Sequence, residues 1–509
     1  MRSSPLITIL VAFAAAIYAI VDVMMGHNGP LAIAAKWMGI GLVFVSFMRP
    51  KAGLFILGIL CFYGDFYKKL AVVYGTASME TVIEVLAINM AIVGAIIAGT
   101  LNQIFLNGRR PHGSIIMVWL LSLFISGLLM LTPGPLSGRV QLAVNGGLYF
   151  ALAGVIGYQY PKPGESLVLS RMHYLLGLPW VVVAVYQYFY GFSDMDYVYA
   201  RTNLSPVFSS QFFMENPRVF GLAGSASAYG GITLLLTYGL WRIFQPGARA
   251  LWWLLGSLVY FIGLVVSTHR TGLLQPFIIL VVWRLFTHRS STRAFYVVTV
   301  GSALLLITFS NVLLNSLEPT DAALRRITGD QGWTAQVLRV STFSDRLKGW
   351  TRLTRPESYS LFGTKKMQAE PVHFDDDDFA HDTINSVLIN HGIVGLLACA
   401  LVLVLAVKKT HSMVFRIEND WDRSTLAFIL ANLSINLLLA IFTGCNIHTV
   451  PINLIIATLA GHAVAILART GTASITAPVA PSRPRDLAWV QPMRPPAVVN
   501  ADWRRHPGL

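Results

Sequence analysis

Apolar runs about 20 residues long recur between residues 6 and 467, and this feature limits the fold more than any other. A helix rises 1.5 Å per residue, so about 20 apolar residues match a hydrocarbon core about 30 Å thick. The expectation is an all-α polytopic membrane protein. Charged residues make up only 12% of the chain and hydrophobic ones 55%, against roughly 25% charged in soluble domains, which excludes a soluble globular enzyme. The three cysteines, Cys61, Cys399 and Cys445, lie scattered among apolar segments and form no disulfide framework. The formal charge of +14 falls singly or in pairs between the runs, a topology signal rather than a nucleic-acid surface.

Fourteen candidate spans can be drawn, at about residues 6–25, 31–48, 53–67, 82–101, 114–132, 140–158, 172–190, 222–243, 251–267, 271–287, 294–314, 384–407, 424–443 and 450–467, for a working range of about 12–14 transmembrane helices. The first has too long an apolar region for a signal peptide and is read as an uncleaved helix. With the N-terminus in the cytoplasm, the cytoplasmic loops hold fifteen basic residues: Arg49, Lys51, Arg109, Arg110, Lys162, Arg171, Arg242, Arg249, Arg284, Arg289, Arg293, Lys408, Lys409, Arg416 and Arg423. The other side holds four in short connections, Lys68, Lys69, Arg139 and Arg270. The positive-inside rule selects this orientation and places both termini in the cytoplasm.

Two long connections then lie outside, residues 191–221 and the 66 residues from Asn315 to Ala380. The second mixes both charge signs with Trp333, Trp350 and Tyr359 and is expected to fold as a small extracytoplasmic cap, since long structureless loops are uncommon unless functional. Seven of the 24 prolines follow Arg469, so residues 468–509 read as a disordered cytoplasmic tail. The chain divides into N-terminal helices (1–190), a membrane region with the 315–380 loop (191–467) and this tail.

Three segments with misplaced polar groups converge on the outer face. In "NPRVFGLAGSASAYGG", Arg218 precedes a span opening on Gly221, Gly224, Ser225, Ser227, Gly230 and Gly231; the small residues admit either another helix or an extended lipid-linked ligand. In "STHRTGLLQPF", His269 and Arg270 sit at the tip of a tight helical hairpin. An arginine there opposes the charge bias and needs an anion, either phosphate or the acidic cap. In "FDDDDFAHDTINSVLINHGIVGLL", His381, Asp382 and Asn385 open a span. A helix N-terminus disfavours the imidazolium, which leaves a neutral histidine able to take a proton, or simply a polar cap. The run Asp375 to Asp378 reads as an exposed acidic loop, because consecutive carboxylates do not share a face; no metal or other cofactor is assigned.

The hairpin "VVSTHRTGLL", the loop "SDRLKGWTRL" followed by "LFGTK", and "HDTINSVLINHGIVGLL" resemble the successive signatures of the O-antigen ligase and O-antigen polymerase (Wzy-type) superfamily. Arg218 in "PRVFGLAGSASAYG" resembles that family's upstream arginine element, and the likeness covers roughly residues 200 to 410. Thr-His-Arg stands where the family usually has Ser-Arg, and Asp382 stands where it has asparagine; Arg346 and Trp350 keep the usual spacing.

The resemblance implies a membrane-embedded glycosyltransferase of GT-C type acting at the periplasmic face on a glycan carried by undecaprenyl pyrophosphate. It makes Arg218, Arg270 and His381 the catalytic candidates, the arginines for the departing pyrophosphate and the histidine for the acceptor hydroxyl proton. Arg346, His269, Asp382 and Trp350 are the substrate-binding candidates. The partners are the lipid-linked donor, a glycan acceptor and membrane lipids, together with other polysaccharide assembly proteins, and no nucleic acid. A polymerase making O-antigen or exopolysaccharide is preferred on class frequency over a ligase that transfers to the lipid A-core of lipopolysaccharide. A lipid-linked oligosaccharide flippase or transporter is the alternative of another class; Glu84 and Lys36 are the main deep ionisable residues it would use, and no internal repeat accompanies them.

Overall fold

The computed structural model describes residues 30–74, 79–108, 110–131, 136–201, 219–224, 226–245, 247, 249–267, 270–287, 360–361, 383–442 and 450–476, and among them there are helices and turns but no strand. In chain order the helices are α1 (Pro30–Met48), α2 (Pro50–Tyr74), α3 (Met79–Asn107), α4 (Gly113–Met130), α5 (Leu136–Ala143), α6 (Tyr149–Gln159), α7 (Leu167–Tyr190) and α8 (Asp194–Arg201), followed by α9 (Ala226–Tyr229), α10 (Ile232–Ile243), α11 (Ala250–Val266), α12 (Arg270–Thr287), α13 (Thr383–Val414), α14 (Asp420–Phe442) and α15 (Ile452–Thr476). The expected spans at 6–25 and 294–314, and the 315–380 cap apart from Ser360 and Leu361, lie outside the described residues.

Among the described residues, five helices are long and apolar enough to cross a membrane: Ala87–Asn107, Gly113–Met130, Arg139–Gln159, Leu167–Tyr190 and Ile452–Thr470. Exposed apolar side chains run along α4 (Ile116, Met117, Leu120, Leu123, Phe124) and α11 (Leu251, Trp252, Leu254, Leu255, Leu258). Water disfavours such a surface and hydrocarbon accepts it.

Local sequence explains where the elements start and bend. At the start of α14, Asn419 Oδ1 accepts the N–H groups of Trp421 (2.9 Å) and Asp422 (3.2 Å), while Asp420 and Asp422 complement the helix dipole. Between α5 and α6 the backbone widens into a π turn at Val144–Leu148. Its displaced carbonyls find side chains: Ser126 donates to Ala143 O (3.1 Å) and Asn453 to Asn145 O (3.4 Å), as buried backbone requires in an apolar medium. The connection after α7, expected as loop, contains α8. Ser193 and Asp196 form a capping box: Asp196 Oδ2 accepts from the Ser193 N–H and hydroxyl, and Ser193 Oγ accepts the Asp196 N–H. The last helix runs to Thr476, past the expected start of the tail at 468, with Thr470 Oγ1 bonding back to Ile466 O (3.1 Å).

Two apolar cores share α15. One joins α7, α10, α11, α12 and α14 to it; the other joins α2, α3 and α6 to Leu454 and Ala457. Small residues set the spacing of α6 and α15, since a Cβ added at Gly157 would lie 2.6 Å from Val464 and one at Gly461 2.7 Å from Ile156.

The bundle has two distinct ends. At one, Lys51 pairs with Glu165 (2.8 Å), Arg469 pairs with Asp422 (2.8 Å), Arg242 lies against Trp421 and Trp253, and His411 meets Phe286. These contacts gather the start of α2, the turn before α7, the ends of α10, α12, α13 and α15, and the starts of α11 and α14. This basic end also carries Arg171, Arg249, Arg284, Lys408, Lys409, Arg416 and Arg423. The far end holds the α7–α8 connection, the 219–224 turn, the end of α11 and the start of α12.

Candidate functional site

Of the sequence-derived site residues, Arg218, His269, Arg346, Trp350, His381 and Asp382 lie outside the described residues. Arg270 is described in its backbone alone, as the first residue of α12 at the far end. What can be built is the frame from which these residues emerge.

Val219, which follows Arg218, begins a tight turn over residues 219–224 with Gly221 at φ +59°. Only glycine fits there: a Cβ would lie 2.0 Å from the Trp180 carbonyl oxygen. One side chain ties the turn to α7. Gln187, buried on α7, accepts the N–H groups of Gly221 (2.8 Å) and Phe220 (3.3 Å) through Oε1 and donates from Nε2 to the Gly221 carbonyl (3.2 Å). Three backbone groups are thus satisfied in an otherwise apolar setting.

Beneath the turn lies a buried ion pair. Lys69 Nζ is 2.8 Å from Asp196 Oδ1, with side chains 2% and 5% exposed, and the ammonium stands 4.9 Å from the Phe220 ring centroid. Lys68 pairs with Asp65, whose carboxylate also packs against Gly224. On α8 the Tyr199 hydroxyl is pushed up to about 12, by burial first and by the Asp65 charge second. The two cations and two carboxylates balance, so this cluster braces the turn without giving the far end net charge.

Close approach through the small-residue stretch goes to the protein itself. Trp180 fills the space at Gly221, Asp65 at Gly224 and Ile452 at Gly231. At these three positions the packing alternative holds and the opening for an extended ligand does not.

A second feature joins two sequence motifs. Helix α13 breaks at Gly392 (φ +66°, ψ −168°), freeing the N–H groups at the start of its second half. Ile393 N–H donates to Ser360 O (2.9 Å) and Val394 N–H to Leu361 O (3.2 Å). The start of "LFGTK" therefore docks on the break inside "NHGIVG".

Sequence reasoning missed Gln187, Asp196 and the break at Gly392. It also counted Lys69 as a loop cation and named Glu84 and Lys36 as the main deep ionisable residues. Lys69, Asp196, Arg242 and Asp422 are buried, whereas the side chains of Lys36 and Glu84 lie outside the described residues. The correction has a local cause: Lys69 sits on the sixth turn of a helix running to Tyr74, beyond the expected end of that span at 67. The capping pattern Ser193-Asp-Met-Asp196 was the one available signal for its partner. Among the described residues, no three His, Cys, Asp or Glu side chains converge as a metal site would require.

No family model matches the chain, and comparison with curated proteins and with solved structures gives no match. What the fold defines is a class: a protein that is all-helical over its described residues, which include five helices able, by length and apolarity, to cross a membrane.

Proposed function

We propose that this chain is a membrane-embedded glycosyltransferase of GT-C type that polymerises a polysaccharide from undecaprenyl-pyrophosphate-linked units at the periplasmic face. The observation that carries the reading is the junction of motifs: carbonyls of Ser360 and Leu361 cap the broken helix at Gly392, tying the segment after Arg346 and Trp350 to the helix that follows His381 and Asp382. Arg218 precedes the Gln187-clamped turn and Arg270 opens α12 at the same end of the bundle. Opposite that end the basic residues collect, which under the positive-inside rule supports a periplasmic far end.

In this mechanism the bond between the donor's anomeric carbon and its pyrophosphate oxygen breaks while the acceptor hydroxyl attacks that carbon. The guanidinium groups of Arg218 and Arg270 stabilise charge on the leaving oxygen, and His381 takes the hydroxyl proton. Transfer to lipid A-core in place of a lipid-linked repeat makes the same chemistry a ligase. The broken helix also favours a second reading, since discontinuous helices line transporter sites.

The test is purified protein in liposomes with undecaprenyl-pyrophosphate-linked repeat units. Lengthening of the glycan, reduced at least about a hundredfold in Arg270→Ala, supports the polymerase. Transfer only when lipid A-core is added identifies a ligase. Movement of the lipid-linked unit across the bilayer with no new glycosidic bond identifies a flippase.

A further inference from the structure

Among the described residues at the basic end, one arginine is buried with no carboxylate paired to it. Arg242, in the last turn of α10, is 4% exposed, and its Nε and Nη1 find no hydrogen-bond partner. Three indoles surround it, with the guanidinium carbon 5.4 Å from the Trp421 ring centroid, 5.5 Å from Trp253 and 5.9 Å from Trp241. The Trp241 indole N–H is also buried and unpartnered. Of the described carboxylates at this end, Asp422 is engaged by Arg469, Asp420 by Arg423 and Glu165 by Lys51, while Glu418 is exposed and pairs with none of these arginines. Arg171, a second cation, approaches the neighbouring Tyr238 hydroxyl.

The unfilled groups share one chemistry. The Arg242 and Trp241 groups are N–H donors beside a fixed positive charge, and the buried, unpartnered Tyr238 hydroxyl can donate as well, so the missing partner is an anion rich in acceptor oxygens. The α10 C-terminus holds the cation, and contact with the indole faces offsets part of its desolvation. Ring faces accept the N–H groups of a guanidinium fork only weakly, whereas phosphate oxygens take them in matching geometry.

The surroundings select the form of the phosphate. Phe244, two residues beyond Arg242, and Leu251 and Trp252, beside Trp253, are large, apolar and exposed. A soluble anion has no use for such a rim, but acyl chains do, and tryptophan and arginine together mark the headgroup level of a bilayer. We propose that Arg242 and its three tryptophans bind the phosphate headgroup of an anionic phospholipid in the leaflet at the basic end, a site separate from the far-end site and independent of the reaction assigned there.

The protein is purified in a neutral detergent and its thermal unfolding is followed while phosphatidylglycerol, phosphatidylcholine or inorganic phosphate is titrated in. Phosphatidylglycerol should raise the midpoint saturably and phosphatidylcholine should not. Arg242→Gln should weaken the phosphatidylglycerol effect at least about tenfold, and Arg242→Lys less, because lysine keeps the charge but loses the fork. An unchanged response in Arg242→Gln overturns the site. A saturable effect of millimolar inorganic phosphate that equals the lipid's and vanishes in Arg242→Gln overturns the lipid assignment in favour of a soluble anion. Should Arg242→Gln fail to fold, a photoreactive phosphatidylglycerol is crosslinked to the wild-type chain. Labelled peptides spanning residues 242–253 support the site, and labelling elsewhere with none there refutes it.

Discussion

Replacing Gln187 with Met tests whether one buried side chain fixes the turn that carries Arg218. Methionine matches glutamine in length and volume, so no cavity opens and the change is confined to hydrogen bonding. The N–H groups of Phe220 and Gly221 and the Gly221 carbonyl lose their bonds to Gln187 together. Each buried group left unsatisfied costs about 1–3 kcal/mol, and the three, allowing for relaxation, about 3–5 kcal/mol. Two measurements follow in the purified protein. The thermal midpoint should fall by several degrees, and turnover of lipid-linked glycan, measured well below that midpoint, should fall as well because the turn no longer holds its residues in place. Gly221→Ala should do the same by another route, since its Cβ would meet the Trp180 carbonyl at 2.0 Å and a residue with φ +59° is strained for alanine. A Gln187→Met protein with wild-type midpoint and turnover would refute the clamp and with it the claim that this turn positions the site.

Lys69→Met alone should destabilise by about 3–5 kcal/mol, because Asp196 is left charged and buried, while Lys69→Met combined with Asp196→Leu should recover most of the loss in thermal unfolding. Gly392→Ala should cost about 1–3 kcal/mol, since its backbone conformation suits only glycine; a midpoint equal to wild type would mean the break in α13 does not depend on it. At the basic end, burial raises the Glu165 carboxyl, but the hydrogen bond and charge of Lys51, aided by Lys162, outweigh it and hold the group below its usual range. A lowered folded value means this contribution is present above the unfolded pKa, about 4.3, and is lost as pH falls through the folded one. The pair is part-exposed, so Lys51→Ala should cost no more than about 1 kcal/mol at neutral pH, less in high salt, and nothing in acid.

Much of the architecture was legible because spanning a membrane imposes length and composition on each segment separately. The runs at 114–132, 251–267 and 271–287 recur as Gly113–Met130, Ala250–Val266 and Arg270–Thr287, within two residues at each end. Helix ends written in local code were equally available, such as Gly191 closing α7 at φ +84° and the Ser193–Asp196 box opening α8, although the latter was read as loop.

What the sequence by itself determined is thus the helical class, the order and length of its described apolar segments, and the segregation of basic residues, each a property of one segment and the medium around it. Tertiary structure decided which polar groups meet. Lys69 and Asp196 are 127 residues apart in the chain, Gln187 and Gly221 are 34 apart, and Ser360 reaches Ile393 across a break that no periodicity marks. Such pairings follow from how helices pack, and a lysine in a run of apolar residues reads the same whether it meets water, a headgroup or a buried carboxylate. The same holds for Arg242, which the sequence places in a basic loop and the packing encloses among three tryptophans.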